Sequence, residues 1–321
     1  MSGVLDKEFK LLLRTEELSP PIIDCISFAF GSITFGYQIF NAIKAKRESF
    51  TQKSEVHRNL FGFCANADFI TNNTDDEYSH RLALGEETIW LTSDLIAAEE
   101  AIGHLMPIFK QRPKLNDIKK KTKDGPSPKL ERNIVSFGGP CRNLFSRWMM
   151  KLEDPPPGLG IDVAHTPIIP FTFNYELSES KHLSWDARAK IQPRPNWPIR
   201  DIRCKRDIYI PETYYFDDNT YICKRDYAMI VKMKSIQAKS RQEGKWNLMI
   251  SGSHGSGTEG AAMALGNEKI LNRIWHEVGE KDFQAIVAVD VETNEEEVCG
   301  KTRKFGKPTR VELLEVVELS I

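Results

Sequence analysis

Residues 246–265 read WNLMISGSHGSGTEGAAMAL, and this stretch decides the fold expected for the chain. The apolar run over 246–251 predicts a buried strand, and the small residues after Gly260 predict a helix. Four glycines lie between them: Gly252, Gly255, Gly257 and Gly260. A strand, a glycine loop and a helix in this order are typical of α/β sheets that bind ligands at the carboxyl ends of their strands.

This loop has the chemistry of an anion site. Glycines allow close approach of a ligand to backbone amides, and the start of a helix attracts negative charge. The loop also carries three hydroxyl donors, Ser253, Ser256 and Thr258. The segment 255–260 matches G-x-G-x-x-G after a strand, the context of a dinucleotide fingerprint.

Two further positions bear on that comparison. Asp290 ends the next predicted strand, where an acid that binds ribose is expected, although it lies 30 residues beyond Gly260. The segment from Gly252 also resembles a P-loop, but Thr258 stands in the place of its lysine. ATP hydrolysis of the P-loop kind is therefore disfavoured.

A second loop follows another predicted strand. Residues 136–143 read SFGGPCRN, with a tight turn at Gly138 and Gly139, a cation at Arg142, and Asn143 placed to cap a helix or to bind a base or hydroxyl. Two such loops in one domain predict that both border one cleft. The alternative is that both are structural turns without a ligand.

The paired loops resemble the LOG/SLOG group of Rossmann-like domains over about residues 133–291. Members of that group bind nucleotides or nucleotide-derived ligands, and some cleave N-glycosidic bonds. Their usual motif is P-G-G-x-G-T-x-x-E, whereas here Ser253 and His254 replace Pro-Gly and Glu259 directly follows Thr258. The resemblance implies contacts to phosphate or ribose.

Catalytic candidates come from the same loops. His254 is a candidate general acid, and Glu259 could stabilise an oxocarbenium-like ribose. Each also has a structural interpretation, because a loop histidine can serve only as a hydrogen-bond donor and a glutamate in the first helical turn complements the helix dipole. Cys141, beside Arg142, lies in surroundings that lower a thiol pKa.

The pattern along the chain predicts three parts. A mainly helical region covers 1–109, with Ser93 capping a helix, and a linker with nine basic and three acidic residues covers 110–132. A Rossmann-like three-layer α/β domain covers 133–321, with an irregular Pro- and Trp-rich insertion at about 151–206. Predicted strands cover 133–137, 168–175, 207–216, 227–233, 246–251, 283–290 and 310–319.

Composition sets the remaining expectations. With 44 Lys+Arg against 45 Asp+Glu, the chain is not a generic nucleic-acid binder. Its six cysteines and seven histidines show no metal-ligand spacing, so no metal site is predicted, and a cytoplasmic location is expected. The apolar segment 22–43 predicts a core helix, with a membrane-associated segment as the alternative.

The function expected from sequence is binding of a nucleotide or other phosphorylated small molecule by the two glycine loops, as a sensor or regulatory module. One alternative is an enzyme that uses the same cleft, either an N-glycosidic-bond hydrolase or an NAD(P)-dependent oxidoreductase. The other alternative is a structural or interaction protein without a small ligand.

Overall fold

The computed structural model divides the chain into two units, Met1–Lys53 and Ser54–Ile321. The predicted segment 22–43 lies outside the residues that the structure describes, as do Cys141 and Arg142. The described residues are 55–71, 80–84, 87–91, 93–105, 108, 115–117, 131–140, 143–155, 157–175, 197–215, 221–298 and 301–320.

These residues form both strands and helices. The strands are β1 Ala67–Thr71, β2 His80–Leu84, β3 Glu87–Leu91, β4 Leu115–Asp117, β5 Asn133–Phe137, β6 Phe171–Phe173, β7 Ile199–Asp201, β8 Arg206–Tyr209, β9 Glu212–Tyr215, β10 Tyr221–Lys234, β11 Trp246–Gly252, β12 Phe283–Val298 and β13 Lys301–Glu318. The α-helices with assigned ends are α1 Ser93–Leu105, α2 Leu144–Met149, α3 Ala238–Gln242, α4 Gly255–Ala264 and α5 Glu268–Val278. Residues 55–61 are also helical, and short 3-10 helices cover Gly62–Asn66 and Val163–His165.

The central sheet has the order β13-β12-β10-β11-β5-β1-β4, with β9 paired to β10. The neighbours among β4, β1, β5 and β11 are parallel, whereas β10, β12 and β13 pair antiparallel. The chain therefore has an α/β fold with a mixed sheet, as the sequence predicts at that level. Strands β1 and β4 come from the predicted helical region and linker, so residues on both sides of that linker contribute to one sheet.

Helices cover one face of the sheet. Helix α1 packs on α4, and α4 and α5 lie against the strands, with Ala261, Leu271 and Val287 in one buried cluster. The apolar residues of α5 recur at helical spacing, as in an amphipathic helix, and Asn267 caps its start by accepting from two backbone amides. Helix α5 therefore packs its apolar face on the sheet.

The opposite face is covered by α2 and by a small antiparallel sheet of β6, β7 and β8. Trp148 of α2 and Phe171 of β6 belong to one buried cluster there with Ile286 of β12. Strands β6 and β7 belong to the predicted irregular insertion, which thus forms part of the cover of the sheet. None of the described helices is long and apolar enough to cross a membrane.

Candidate functional site

The two glycine loops lie side by side. Strands β5 and β11 are parallel neighbours, and both loops leave from their carboxyl ends. The amide of Gly138 donates to the carbonyl of Ile250 at 3.0 Å. A Cβ atom placed on Gly139 would lie 3.4 Å from the carbonyl oxygen of Gly252. The two loops are therefore neighbours at one edge of the sheet.

The stretch 255–260 is a helix rather than a loop, because α4 already begins at Gly255. Its glycines permit close packing. A Cβ on Gly257 would lie 2.8 Å from Oδ2 of Asp226, and one on Gly260 would overlap the side chain of Val289. A Cβ on Gly252 would overlap the backbone nitrogen of Thr258. These three glycines are therefore required by the contact between α4 and the sheet.

The start of α4 holds an internal anion, the carboxylate of Asp226 from β10. Its Oδ2 accepts from the amide of Gly257 at 2.6 Å and from the hydroxyl of Ser256 at 2.9 Å. Its Oδ1 accepts from the amide of Tyr227 at 2.9 Å. Asp226 is fully buried. A carboxylate of the protein thus takes the position that the sequence assigns to a ligand phosphate.

Other predicted ligand donors of this loop also have internal partners. The amide of Gly252 donates to Oγ1 of Thr258 at 3.0 Å, and Nδ1 of His254 lies 3.1 Å from Oδ1 of Asp226. Ser253 differs, because its buried hydroxyl has no hydrogen-bond partner among the described residues. Glu259 lies in α4 and is partly exposed.

The loop after β5 is held by its own cap. Gly138 has a φ of 98°, which favours glycine. The side chain of Asn143 accepts from the amides of Phe145 and Ser146, and its Nδ2 donates to the carbonyl of Phe137 at 2.6 Å. Asn143 therefore caps α2, which is one of the two roles that the sequence predicts for it.

Asp290 is not brought to the loops. It pairs with Arg225 across the strands β10 and β12, at 2.9 Å. Its neighbour Val289 packs with α4, and side chains alternate along a strand, so Asp290 lies on the other face of the sheet. A residue on that face cannot line a pocket at the start of α4.

One small polar region remains between the loops. Around the position that a Cβ on Gly139 would occupy lie the carbonyl oxygen of Gly252 at 3.4 Å, the hydroxyl of Tyr175 at 3.6 Å and Oγ of Ser251 at 3.7 Å. Ser251 is completely buried, and within the described part of the chain its hydroxyl has no hydrogen-bond partner. An acceptor and two hydroxyls thus converge where Gly139 has no side chain.

The structure also adds residues that sequence reasoning missed, above all Asp226 and Cys223 of β10. Burial, with a smaller contribution from the nearby Asp226 carboxylate, raises the pKa of the Cys223 thiol well above its usual range. An acid directly before the apolar run that starts at Tyr227 is a weak signal. Its contact with α4 depends on the pairing of β10 with β11, which the sequence pattern does not reveal.

Comparison of the chain with protein-family models, with curated proteins and with solved structures finds no match.

Proposed function

We propose that this protein binds a nucleotide or a similar small molecule at the carboxyl ends of β5 and β11. The observation that carries the proposal is the buried hydroxyl of Ser251, which has no hydrogen-bond partner among the described residues and would lie 3.7 Å from a Cβ on Gly139. An unpaired buried hydroxyl costs roughly 1–3 kcal/mol, and a ligand that hydrogen-bonds to it removes that cost.

The strand order supports the same place. From β1 the chain goes outward to β4 and then returns to β5 on the other side of β1, so the order reverses between β1 and β5. In open α/β sheets, ligands bind at the carboxyl ends of the strands at such a reversal. The loop of Gly138 and Gly139 leaves β5 at this point.

The groups present favour the sugar part of the ligand at this place. A carbonyl oxygen accepts a hydrogen bond and repels a phosphate, while the hydroxyls of Ser251 and Tyr175 can donate or accept. The converging acceptor and hydroxyls suit a ribose hydroxyl. The start of α4 does not offer a phosphate site, since Asp226 already accepts from Gly257 there.

Isothermal titration calorimetry of the full chain tests the proposal, with nucleosides, nucleotides, dinucleotides and inorganic phosphate as separate titrants. We expect heat with at least one nucleoside or nucleotide, and no competition by phosphate alone. No heat with any of them, from folded protein, would overturn the function and favour an interaction protein. Chromatography of the same samples for released base separates an enzyme from a binding protein.

Gly139→Ala provides the matched variant. Its methyl group would make ordinary van der Waals contacts, so we expect the protein to fold, but the methyl occupies the position proposed for the ligand. Binding should fall by at least tenfold. Gly103→Ala is the control, because Gly103 is exposed in α1 and a Cβ there meets nothing within 4 Å. Equal affinity in the two variants would place the ligand elsewhere.

A further inference from the structure

Three side chains of types that commonly bind metals lie together beside the start of α4. They are on the face of the sheet opposite the hydroxyl of Ser251. They are Cys223 and Asp226 of β10 and His254 of the loop after β11. Their ligand atoms all lie within 4.8 Å of one another, and all three side chains are buried. The spacing of these three residues in the sequence is not one that is typical of metal sites. Only the fold brings the set together.

A β-bulge places Cys223 and Asp226 on the same face. In the pairing of β10 with β9, Cys223 lies opposite Thr213 and Arg225 lies opposite Glu212, so Lys224 is an extra residue. Residues three apart on a regular strand point to opposite faces. The extra residue reverses that relation, and bulges of this kind commonly re-aim a side chain toward a functional site.

The hydrogen bonds of Asp226 orient it as a ligand. Gly257 and Ser256 hold Oδ2, which turns Oδ1 toward Nδ1 of His254 at 3.1 Å. Metal ligands are usually oriented by such bonds from groups that do not touch the metal. The 3.1 Å separation is close to the roughly 3–3.5 Å between neighbouring nitrogen and oxygen ligands of a tetrahedral zinc ion.

The charge of the set matches a divalent cation. A carboxylate as buried as Asp226 needs a compensating charge. Within the described residues, no Lys or Arg pairs with it, and the side chain beside it that can carry a positive charge is His254. A dication bound to the Cys223 thiolate and the Asp226 carboxylate would give a neutral site, with His254 as the uncharged third ligand. A thiolate, an imidazole and a carboxylate together favour zinc over magnesium or calcium.

We propose that Cys223, Asp226 and His254 bind one zinc ion through Sγ, Oδ1 and Nδ1, with a fourth position for water or a ligand. Three protein ligands and one exchangeable position are typical of catalytic zinc. On binding, the thiol gives up its proton to solvent and its present hydrogen bond to the carbonyl of Arg225. The ligand atoms would draw together by about 1 Å at the widest separation. The site is independent of the proposed nucleotide binding, since its residues lie on the other face.

Zinc binding by the full chain is the test. After dialysis with excess Zn²⁺ and removal of free metal, we expect one zinc per chain, and Co²⁺ in its place should give thiolate-to-cobalt charge-transfer absorption. Both signals should be lost in Cys223→Ser and His254→Gln. Cys204→Ser is the matched control and should keep them, because Cys204 is an exposed free thiol.

X-ray absorption at the zinc edge of the wild-type protein keeps the proposal testable if the variants fail to fold. One sulfur together with nitrogen and oxygen ligands supports the assignment. No stoichiometric zinc, no sulfur or two or more sulfurs, or a charge-transfer band that survives in folded Cys223→Ser would each overturn it.

Discussion

The substitution Ser251→Ala tests whether the hydroxyl of Ser251 serves ligand binding or the stability of the fold. Ser251 is completely buried without a hydrogen-bond partner among the described residues, so removing its oxygen leaves no group newly unpaired. A buried unpaired hydroxyl costs roughly 1–3 kcal/mol. Allowing for the lost contacts of one atom, we expect the free energy of unfolding of the ligand-free protein to rise by about 1 kcal/mol. For a unit of this size the melting temperature rises by about 2–4 °C.

Ligand binding should change in the opposite direction. Loss of one hydrogen bond of about 0.5–1.5 kcal/mol weakens binding by roughly two- to tenfold. Differential scanning calorimetry gives the stability and titration calorimetry gives the affinity. Ser240→Ala is the matched control, because Ser240 is equally buried but donates to Oε1 of Gln237, and we expect it to lose stability without losing affinity. If Ser251→Ala loses stability as Ser240→Ala does, or binds ligand as tightly as wild type, the reasoning is refuted.

Two further predictions concern stability. In urea unfolding, Gly257→Ala should lower the free energy of unfolding by about 1–3 kcal/mol, because its Cβ would press on Asp226. The control Gly103→Ala, at an exposed helix position, should raise the free energy of unfolding by up to about 1 kcal/mol. Equal effects of the two substitutions would contradict the packing role of Gly257. Burial lowers the pKa of Lys232 to about 8, so between about pH 8 and 10 the unfolded chain binds more protons than the folded chain, and the free energy of unfolding rises with pH by up to about 1.4 kcal/mol per pH unit. In urea unfolding at several pH values, Lys232→Met should remove that rise. The control Lys239→Met, at an exposed lysine, should keep it.

The strands that decide the fold could be read from local patterns. The apolar runs of β5 and β11 and the capping role of Asn143 depend on neighbours in sequence, and each is found as predicted. The sequence pattern does not predict strand β1. Its short sequence, ADFIT, pairs on both sides with strands that come later in the chain, and no local pattern carries that information.

The glycine stretch 246–265 also combines a local prediction with a tertiary one. Its composition predicts a strand followed by a helix, which is observed, but the role of each glycine depends on the residues that it contacts in other strands. Gly257 and Gly260 contact Asp226 and Val289, which belong to other strands, and these contacts explain the glycines by packing. The sequence assigns Asp290 to the ligand from its place at the end of a predicted strand, yet Asp290 pairs with Arg225 of the neighbouring strand β10, on the face of the sheet opposite α4.

Local sequence patterns predict an α/β chain with two glycine turns after buried strands, because hydrophobic periodicity, turn residues and helix caps act over a few neighbouring residues. Which residues surround those turns depends on the tertiary fold. Asp226 is the partner at the start of α4, the buried hydroxyl of Ser251 has no hydrogen-bond partner among the described residues, and the cluster of Asp226 with Cys223 and His254 depends on a bulge in β10. Each of these depends on which strands are neighbours and which face a side chain takes, and both are set by burial of the whole sheet between its two layers.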